Sequence, residues 1–357
     1  VPTADLPLLD VADLGVHFGT KRGRVDAVRG ISFTVDPGEC LAIVGDSGSG
    51  KSVTARALLG LAGPGSSVRA RKMRLNGLDL TRLSEREWCA VRGREVGLVQ
   101  QDALMSLDPV RPVGTEIAEA LRNHRVVERT DVGAKVVSLL AEARVPEPEV
   151  RARQYPHQLS GGLRQRALIA AAMAASPPLL IADEPTTSLD VTVQARILDL
   201  LADRKRDGVA LLLISHDLSV VARLADRIAV MRGGAFVEEG PATDVLCSPS
   251  HPYTKSLLAA VPAVHPKGTR LSSPATAPAR ARNAPGDVVL EVDGVSKSFR
   301  GPDRVVRPAV QDVSFVLRAG QTLGILGESG AGKTTLAQII LGLVQPDSGS
   351  VRLFGQP

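Results

Sequence analysis

The sequence predicts an α/β fold that occurs twice in one chain, with the second copy incomplete. Three observations predict it. A long segment repeats without a gap at an offset of 282 residues, from Ala27 to Ala309. Each repeat joins a short apolar run to a glycine-rich turn and then a helical pattern. Further apolar runs end in polar residues. Strands with polar C-terminal ends, alternating with helices, indicate a largely parallel sheet with a ligand at those ends.

The repeat sets AVRGISFTVDPGECLAIVGDSGSGKSVTARALLGL against AVQDVSFVLRAGQTLGILGESGAGKTTLAQIILGL. A period this long marks a duplicated domain, not a solenoid. Between the copies, VHPKGTRLSSPATAPARARNAPG is rich in Pro, Ala, Ser and Arg and has no apolar periodicity, as a linker would. The expected domains are therefore 5–263, a linker at 264–287, and 288–357 as the N-terminal part of a second domain. That part opens on the alternating VVLEVDGVSKSF and closes on a strand, SGSVRLFG. Its pattern breaks off there, so a piece of a longer protein is expected.

Composition narrows the class. A chain of 357 residues exceeds one ordinary compact domain. With 44% apolar but only 3% aromatic residues, its core must rest on Val, Leu, Ile and Ala. No run approaches the ~20 apolar residues of a membrane-spanning helix, and the N-terminus lacks a signal-peptide pattern. The net charge of +5 comes from interspersed residues of both signs, which gives no support to nucleic-acid binding. Cys40, Cys89 and Cys247 lie far apart without metal-type pairing, which fits a reducing, cytoplasmic setting.

The glycine-rich turn carries the first chemistry. Gly45-Asp46-Ser47-Gly48-Ser49-Gly50-Lys51-Ser52 matches G-x-x-x-x-G-K-[ST] between an apolar run, Cys40–Val44, and a helix from about Lys51. Glycines let successive N–H groups converge on phosphate oxygens, and the helix N-terminus adds partial positive charge. Lys51 is expected on the β- and γ-phosphates, and the Ser52 hydroxyl on Mg²⁺. The motif recurs as Gly327-Glu328-Ser329-Gly330-Ala331-Gly332-Lys333-Thr334, followed by Thr335.

A second apolar run, LLIADEP, ends in Asp183 and Glu184. Neighbouring strand residues face opposite sides, so the two acids should differ in role. Asp183 suits the Mg²⁺ shell, and Glu184 suits orienting and deprotonating an attacking water. A third run, Val209–Ser215, stops just before His216. Leu159-Ser160-Gly161-Gly162-Leu163-Arg164-Gln165-Arg166 places two glycines ahead of a helix-forming stretch, a second anion-binding helix start with Ser160 as donor.

This LSGGLRQR segment, followed by Asp183-Glu184-Pro185, resembles the signature loop of ATP-binding-cassette (ABC) proteins. The resemblance implies a P-loop NTPase fold of the ABC ATPase type: a mixed sheet with a RecA-like core and a helical signature subdomain. It also implies ATP and Mg²⁺ as ligands, with the signature of one cassette covering the γ-phosphate held by the other. On this reading Phe18 and Phe299 stack on adenine, and Gln101 contacts Mg²⁺ and the attacking water. Ser188-Leu189-Asp190 communicates between cassettes, and His216 contacts the γ-phosphate and supports Glu184. The implied metal set is Ser52, Gln101 and Asp183, with Thr334 in the second copy.

Two segments are similar to oligopeptide and dipeptide importers in particular. QQDALMSLDPVRPVG, around Gln101, matches their QDP-x-x-SLNP-x-x-x-VG pattern, and SPSHPYTKSLLAAVP, from Ser248, resembles their short C-terminal extension. In that extension His251-Pro252-Tyr253 should form a rigid turn, with Thr254 capping a small helix. The resemblance implies an ATP-hydrolysing motor on the cytoplasmic face of the membrane. Its implied partners are two transmembrane permease subunits and, through them, an extracytoplasmic solute-binding protein. The two cassettes would pair within one full-length chain. Many such importers carry a cysteine-bearing tail, and some of those tails bind an iron–sulfur cluster; the linker here has no cysteine, so no cluster is expected within residues 1–357, which leaves a further C-terminal segment open. Absence of long insertions or a fused membrane domain disfavours a DNA- or ribosome-directed ATPase and an exporter.

Overall fold

The computed structural model describes residues 6–20, 23–187, 189–261, 286–300, 306–327 and 331–356. Chain contacts divide it into two compact units, Val1–Pro266 and Lys267–Pro357. The expected linker lies outside the described residues, apart from Gly286 and Asp287.

In unit one, β1 (Leu9–Thr20) and β2 (Gly23–Val35) form a long antiparallel pair, and β3 (Cys40–Val44) leads into the phosphate loop. Next come β4 (Ser66–Arg69), β5 (Lys72–Leu75) and β6 (Leu78–Asp79), which complete an antiparallel sheet around β1. Then follow β7 (Val96–Val99), β8 (Leu179–Asp183), β9 (Ala210–Ser215), β10 (Arg227–Arg232) and β11 (Ala235–Pro241). With β3 they form a mixed sheet in the order β11-β10-β3-β9-β8-β7, parallel except for the β10–β11 pair.

Alternation explains why β3, β8 and β9 read as continuous apolar runs. Successive side chains face opposite sides of a strand, and here both sides are covered. Leu41, Ile43, Ile181, Leu212 and Ile214 enter the core shared with the antiparallel sheet. Ala42, Val44, Leu180, Leu211 and Leu213 enter the core shared with the helices. Among the latter, Val113–Asn123 buries Val113, Ile117, Ala118 and Leu121, the i, i+4 stripe of an amphipathic helix. Burying one such leucine or isoleucine contributes about 1.5–3 kcal/mol. No helix among the described residues is long and apolar enough to cross a membrane.

Unit two consists of β12 (Val288–Arg300), β13 (Val306–Arg318) and β14 (Ser348–Leu353), in the order β13-β12-β14, packed with the Lys333–Ile340 helix. Residues 322–326, which align with β3 in the repeat, form no strand. In unit one, β3 is held between β9 and β10, elements for which the second copy has no counterpart among the described residues. Without flanking strands the segment stays unpaired. Leu326 is 94% exposed, whereas its counterpart Val44 is 2% exposed.

Candidate functional site

The strand register assembles the site. Val44 pairs with Ser215 across β3 and β9, and Asp183 with Ile214 across β8 and β9, so the C-terminal ends of the three strands lie side by side. Gly45, Glu184 and His216 each come one residue after such an end. Gln101 follows β7 by two residues, and β7 is the next strand outward. Four distant pieces of sequence therefore meet at one edge. Residues from all four line an open cleft of about 410 Å³, together with Ala27, Ser47, Gly48, Gly50, Ser52 and Val53.

The phosphate loop is folded as its glycines require. Gly50 has φ +109°, and a Cβ there would run into the Ala27 carbonyl. Gly332 repeats this in unit two, with φ +85° against the Ala309 carbonyl. The buried Lys51 Nζ donates to the Gly45 carbonyl at 2.7 Å and the Asp46 carbonyl at 2.8 Å. Ser49 Oγ lies 3.4 Å away. Burial lowers the Lys51 pKa, while the charges of Glu184, Asp183 and Asp46 oppose the fall.

The two acids part at the end of β8, which Asp183 closes and Glu184 follows. Asp183 Oδ1 accepts a 2.9 Å hydrogen bond from Ser52 Oγ. Burial pushes the Asp183 carboxyl up; the Ser52 bond works against this and the charge of Glu184 adds to it. Glu184 turns the other way, in a left-handed backbone conformation with φ +49°. Three side chains grip its carboxylate. Gln101 Nε2 donates to Oε2 at 2.9 Å, Thr187 Oγ1 donates to Oε2 at 3.0 Å, and His216 Nδ1 lies 3.0 Å from Oε1. Thr187 was not among the expected site residues; the signal for it is a hydroxyl three residues after the second acid.

Mg²⁺ fits the donors present. Ser52, Asp183 and Gln101 offer hard oxygen ligands beside the loop. Among the described residues no group of three His, Cys, Asp or Glu could hold a metal unaided. An ion that keeps waters and takes phosphate oxygens as ligands suits such a sparse set.

Other expected residues lie elsewhere. Ser160 caps the Gly161–Ala172 helix, its Oγ accepting from Leu163 N at 3.4 Å. Gly162 is buried, and a Cβ on it would collide with Val193. Asp190 caps the Val191–Arg206 helix, its Oδ1 accepting from Val193 N at 2.9 Å. Ser188, Glu328, Ser329 and Gly330 lie outside the described residues. Phe18 packs half-buried against the antiparallel-sheet core and is not among the residues lining the cleft.

In unit two a cleft of about 450 Å³ is lined in part by Ala331, Gly332 and Lys333. Lys333 Nζ donates to the Gly327 carbonyl at 2.7 Å, as Lys51 does to Gly45. Thr334 and Thr335 lie in the first turn of the Lys333–Ile340 helix. Phe299 is 46% exposed, with Lys297 Nζ 5.8 Å from its ring centre, and does not line that cleft.

One expectation is corrected in the C-terminal extension. The helix runs Pro252–Ala259, and its cap is His251, whose Nδ1 accepts from Tyr253 N at 3.1 Å. Pro252 starts the helix because its missing N–H costs nothing there. Thr254 falls inside the helix and is buried, so it does not cap it.

The sequence matches the family described as ABC transporter over residues 28–187 and 310–357. The chain belongs to the ABC transporter family. Its extension matches a second description, "Oligopeptide/dipeptide transporter, C-terminal region", over residues 237–287. This ABC chain is 42% identical to the peptidoglycan transport ATP-binding protein YejF of Agrobacterium fabrum, over 98% of its own length and 63% of that protein's. It therefore spans less than two thirds of that relative. It is 46% identical to the oligopeptide transport ATP-binding protein OppD of Bacillus subtilis, over 73% of its length and 74% of OppD. Its fold is that of an ABC ATPase cassette. A dimeric ATP-binding cassette in a post-hydrolysis state with ADP and Pi matches it with a TM-score of 0.59 at 24% identity, covering 66% of this chain and 98% of that one.

Proposed function

We propose that this chain is the ATP-hydrolysing motor of a membrane importer for di- or oligopeptides. The observation that carries the hydrolytic part is the three-sided grip on Glu184 at the rim of the phosphate-loop cleft. The extension and the names of the relatives support the importer and its peptide cargo.

ATP enters with its phosphates toward the loop amides and the start of the Lys51–Ala57 helix. Charged phosphate oxygens are stronger acceptors than the neutral Gly45 and Asp46 carbonyls, so they draw Lys51 onto the β- and γ-phosphates. Ser52, Asp183 and Gln101 would hold Mg²⁺, which when bound neutralises charge on the phosphate oxygens. Glu184 takes a proton from water as the water oxygen bonds to the γ-phosphorus. The bond from that phosphorus to the β–γ bridging oxygen breaks, leaving ADP and inorganic phosphate. Gln101, Thr187 and His216 hold the carboxylate in place for that proton.

The family arrangement implies that Ser160, Gly161 and Gly162 act on a partner cassette's nucleotide, with Asp190 at the same interface. Phe18 and Phe299 are proposed to stack on adenine once the nucleotide is bound. We read residues 288–357, with Thr334 on its metal and Lys333 on its phosphates, as the start of a second, fused cassette. ATP-driven closure of the pair would move two permease subunits held at the cytoplasmic membrane face, fed by a solute-binding protein.

The test is affinity purification of the tagged chain from detergent-solubilised membranes, with mass spectrometry of what accompanies it. Two polytopic permeases and a solute-binding protein are expected. Ribosomes, DNA-repair factors, or no membrane protein would overturn the importer.

A further inference from the structure

The C-terminal extension reaches the phosphate loop through one hydroxyl. Tyr253 is buried, and its Oη accepts a 3.0 Å hydrogen bond from the Asp46 backbone N–H. That N–H belongs to the same planar peptide as the Gly45 carbonyl, which accepts from Lys51 Nζ at 2.7 Å. In a trans peptide the C=O and N–H point in opposite directions. One rigid plane therefore carries Lys51 on one side and Tyr253 on the other. When ATP draws Lys51 away from the Gly45 carbonyl, the Tyr253 contact is the one that still holds the plane and the shape of the loop around the phosphates.

Tyr253 is itself anchored. The Arg232 guanidinium, at the end of β10, lies 4.8 Å from the centre of its ring. Glu238 on β11 fastens the residues just before it, accepting from Ser250 N at 2.6 Å, Ser250 Oγ at 2.7 Å and His251 N at 3.2 Å. The loop has little freedom on its near side, since a Cβ at Gly45 would strike the Met231 carbonyl.

We propose that Tyr253 is a positioning residue for ATP. It sets the Gly45–Asp46 peptide plane and so couples nucleotide occupancy of the loop to the seating of the Pro252–Ala259 helix. This rests on the reading of the loop as an ATP site. Coupling of this kind is reciprocal: if the helix tunes the affinity for nucleotide, nucleotide must steady the helix by the same factor.

The test compares the full chain with its Tyr253→Phe and Lys51→Ala variants, using Mg²⁺-ATP as the probe. Tyr253→Phe keeps the ring and its contact with Arg232 and removes only the hydroxyl. ATP binding by calorimetry should weaken about three- to tenfold, the size of one lost hydrogen bond. KM should rise with kcat largely kept. In hydrogen exchange, ATP should slow the amides of residues 253–259 in the wild type and much less in Tyr253→Phe. A hydroxyl that merely steadied the fold would lower the melting temperature and leave affinity, KM and the ATP-dependent slowing unchanged; that result overturns the proposal. Lys51→Ala separates the two ways of failing. If it loses ATP while Tyr253→Phe binds like wild type, Tyr253 is not a positioning residue. If it binds ATP as tightly as wild type when Lys333→Ala has silenced the second phosphate loop in both, the ATP site itself is wrong and the coupling falls with it.

Discussion

His216 Nδ1 lies 3.0 Å from Glu184 Oε1, and each residue stands one position beyond the end of its strand, β9 and β8 respectively. Parallel pairing of those strands brings together two residues 32 positions apart in sequence. The contact reaches the carboxylate and not the phosphate loop, so His216 should act on the chemical step more than on binding. His216→Ala is expected to lower kcat about 10- to 100-fold and to change KM for ATP by less than about threefold. Steady-state ATPase assays check this; a rise in KM at constant kcat would move His216 to nucleotide binding.

Thr187 shares Oε2 of Glu184 with Gln101. Thr187→Val removes the hydroxyl at nearly constant volume, and the loss of one hydrogen bond to a charged carboxylate, about 1.5–3 kcal/mol, corresponds to roughly a 10- to 150-fold fall in kcat. An unchanged kcat would mean that Gln101 and His216 suffice to hold the carboxylate.

Gly162 makes a structural prediction inside a functional motif. A methyl group there would collide with Val193, on the next long helix. Gly162→Ala should cost about 1–3 kcal/mol of stability, and adding Val193→Ala should recover most of it. Urea denaturation of the single and double variants measures both. Recovery would show that this glycine is required for helix packing, whatever its part at a partner's nucleotide.

The site was legible in the sequence to the extent that it is built from strand ends. Gly45, Asp183, Glu184 and His216 close apolar runs, and such runs are readable because both faces of their strands are buried. Thr187 was not legible: its role depends on Glu184 turning into a left-handed conformation, which local pattern does not announce. Thr254 looked like a cap by residue type, yet His251 takes that place because Pro252 fixes where the helix starts. The repeat correctly marked the Lys333–Ile340 helix. The segment 322–326, aligned with β3, is not a strand, because a strand needs neighbours, and those of β3 come from more than 150 residues further along.

The extension should respond to acid. Burial works to raise the Glu238 carboxyl, but Thr254 beside it and the Ser250 and His251 donors hold it down, from an ordinary 4.5 to about 2. A carboxylate with a depressed folded-state pKa contributes stability in full above its unfolded value and loses it as pH falls. Seating of residues 250–259 should thus be constant above about pH 5 and weaken between 4.5 and 2. Hydrogen exchange of that segment across this window checks it. Glu238→Gln should show the loosened state at every pH; a segment equally protected in the variant would remove Glu238 as its anchor.

Glu184 is proposed to deprotonate the water that attacks ATP at the Lys51 site. Side-by-side measurement of ATP binding and ATP turnover in the wild type and Glu184→Gln tests it most directly. Binding within about twofold of wild type is expected, with turnover reduced by at least about 100-fold, the scale of a lost general base. Turnover left at the wild-type rate, with ATP still bound at Lys51, would contradict it.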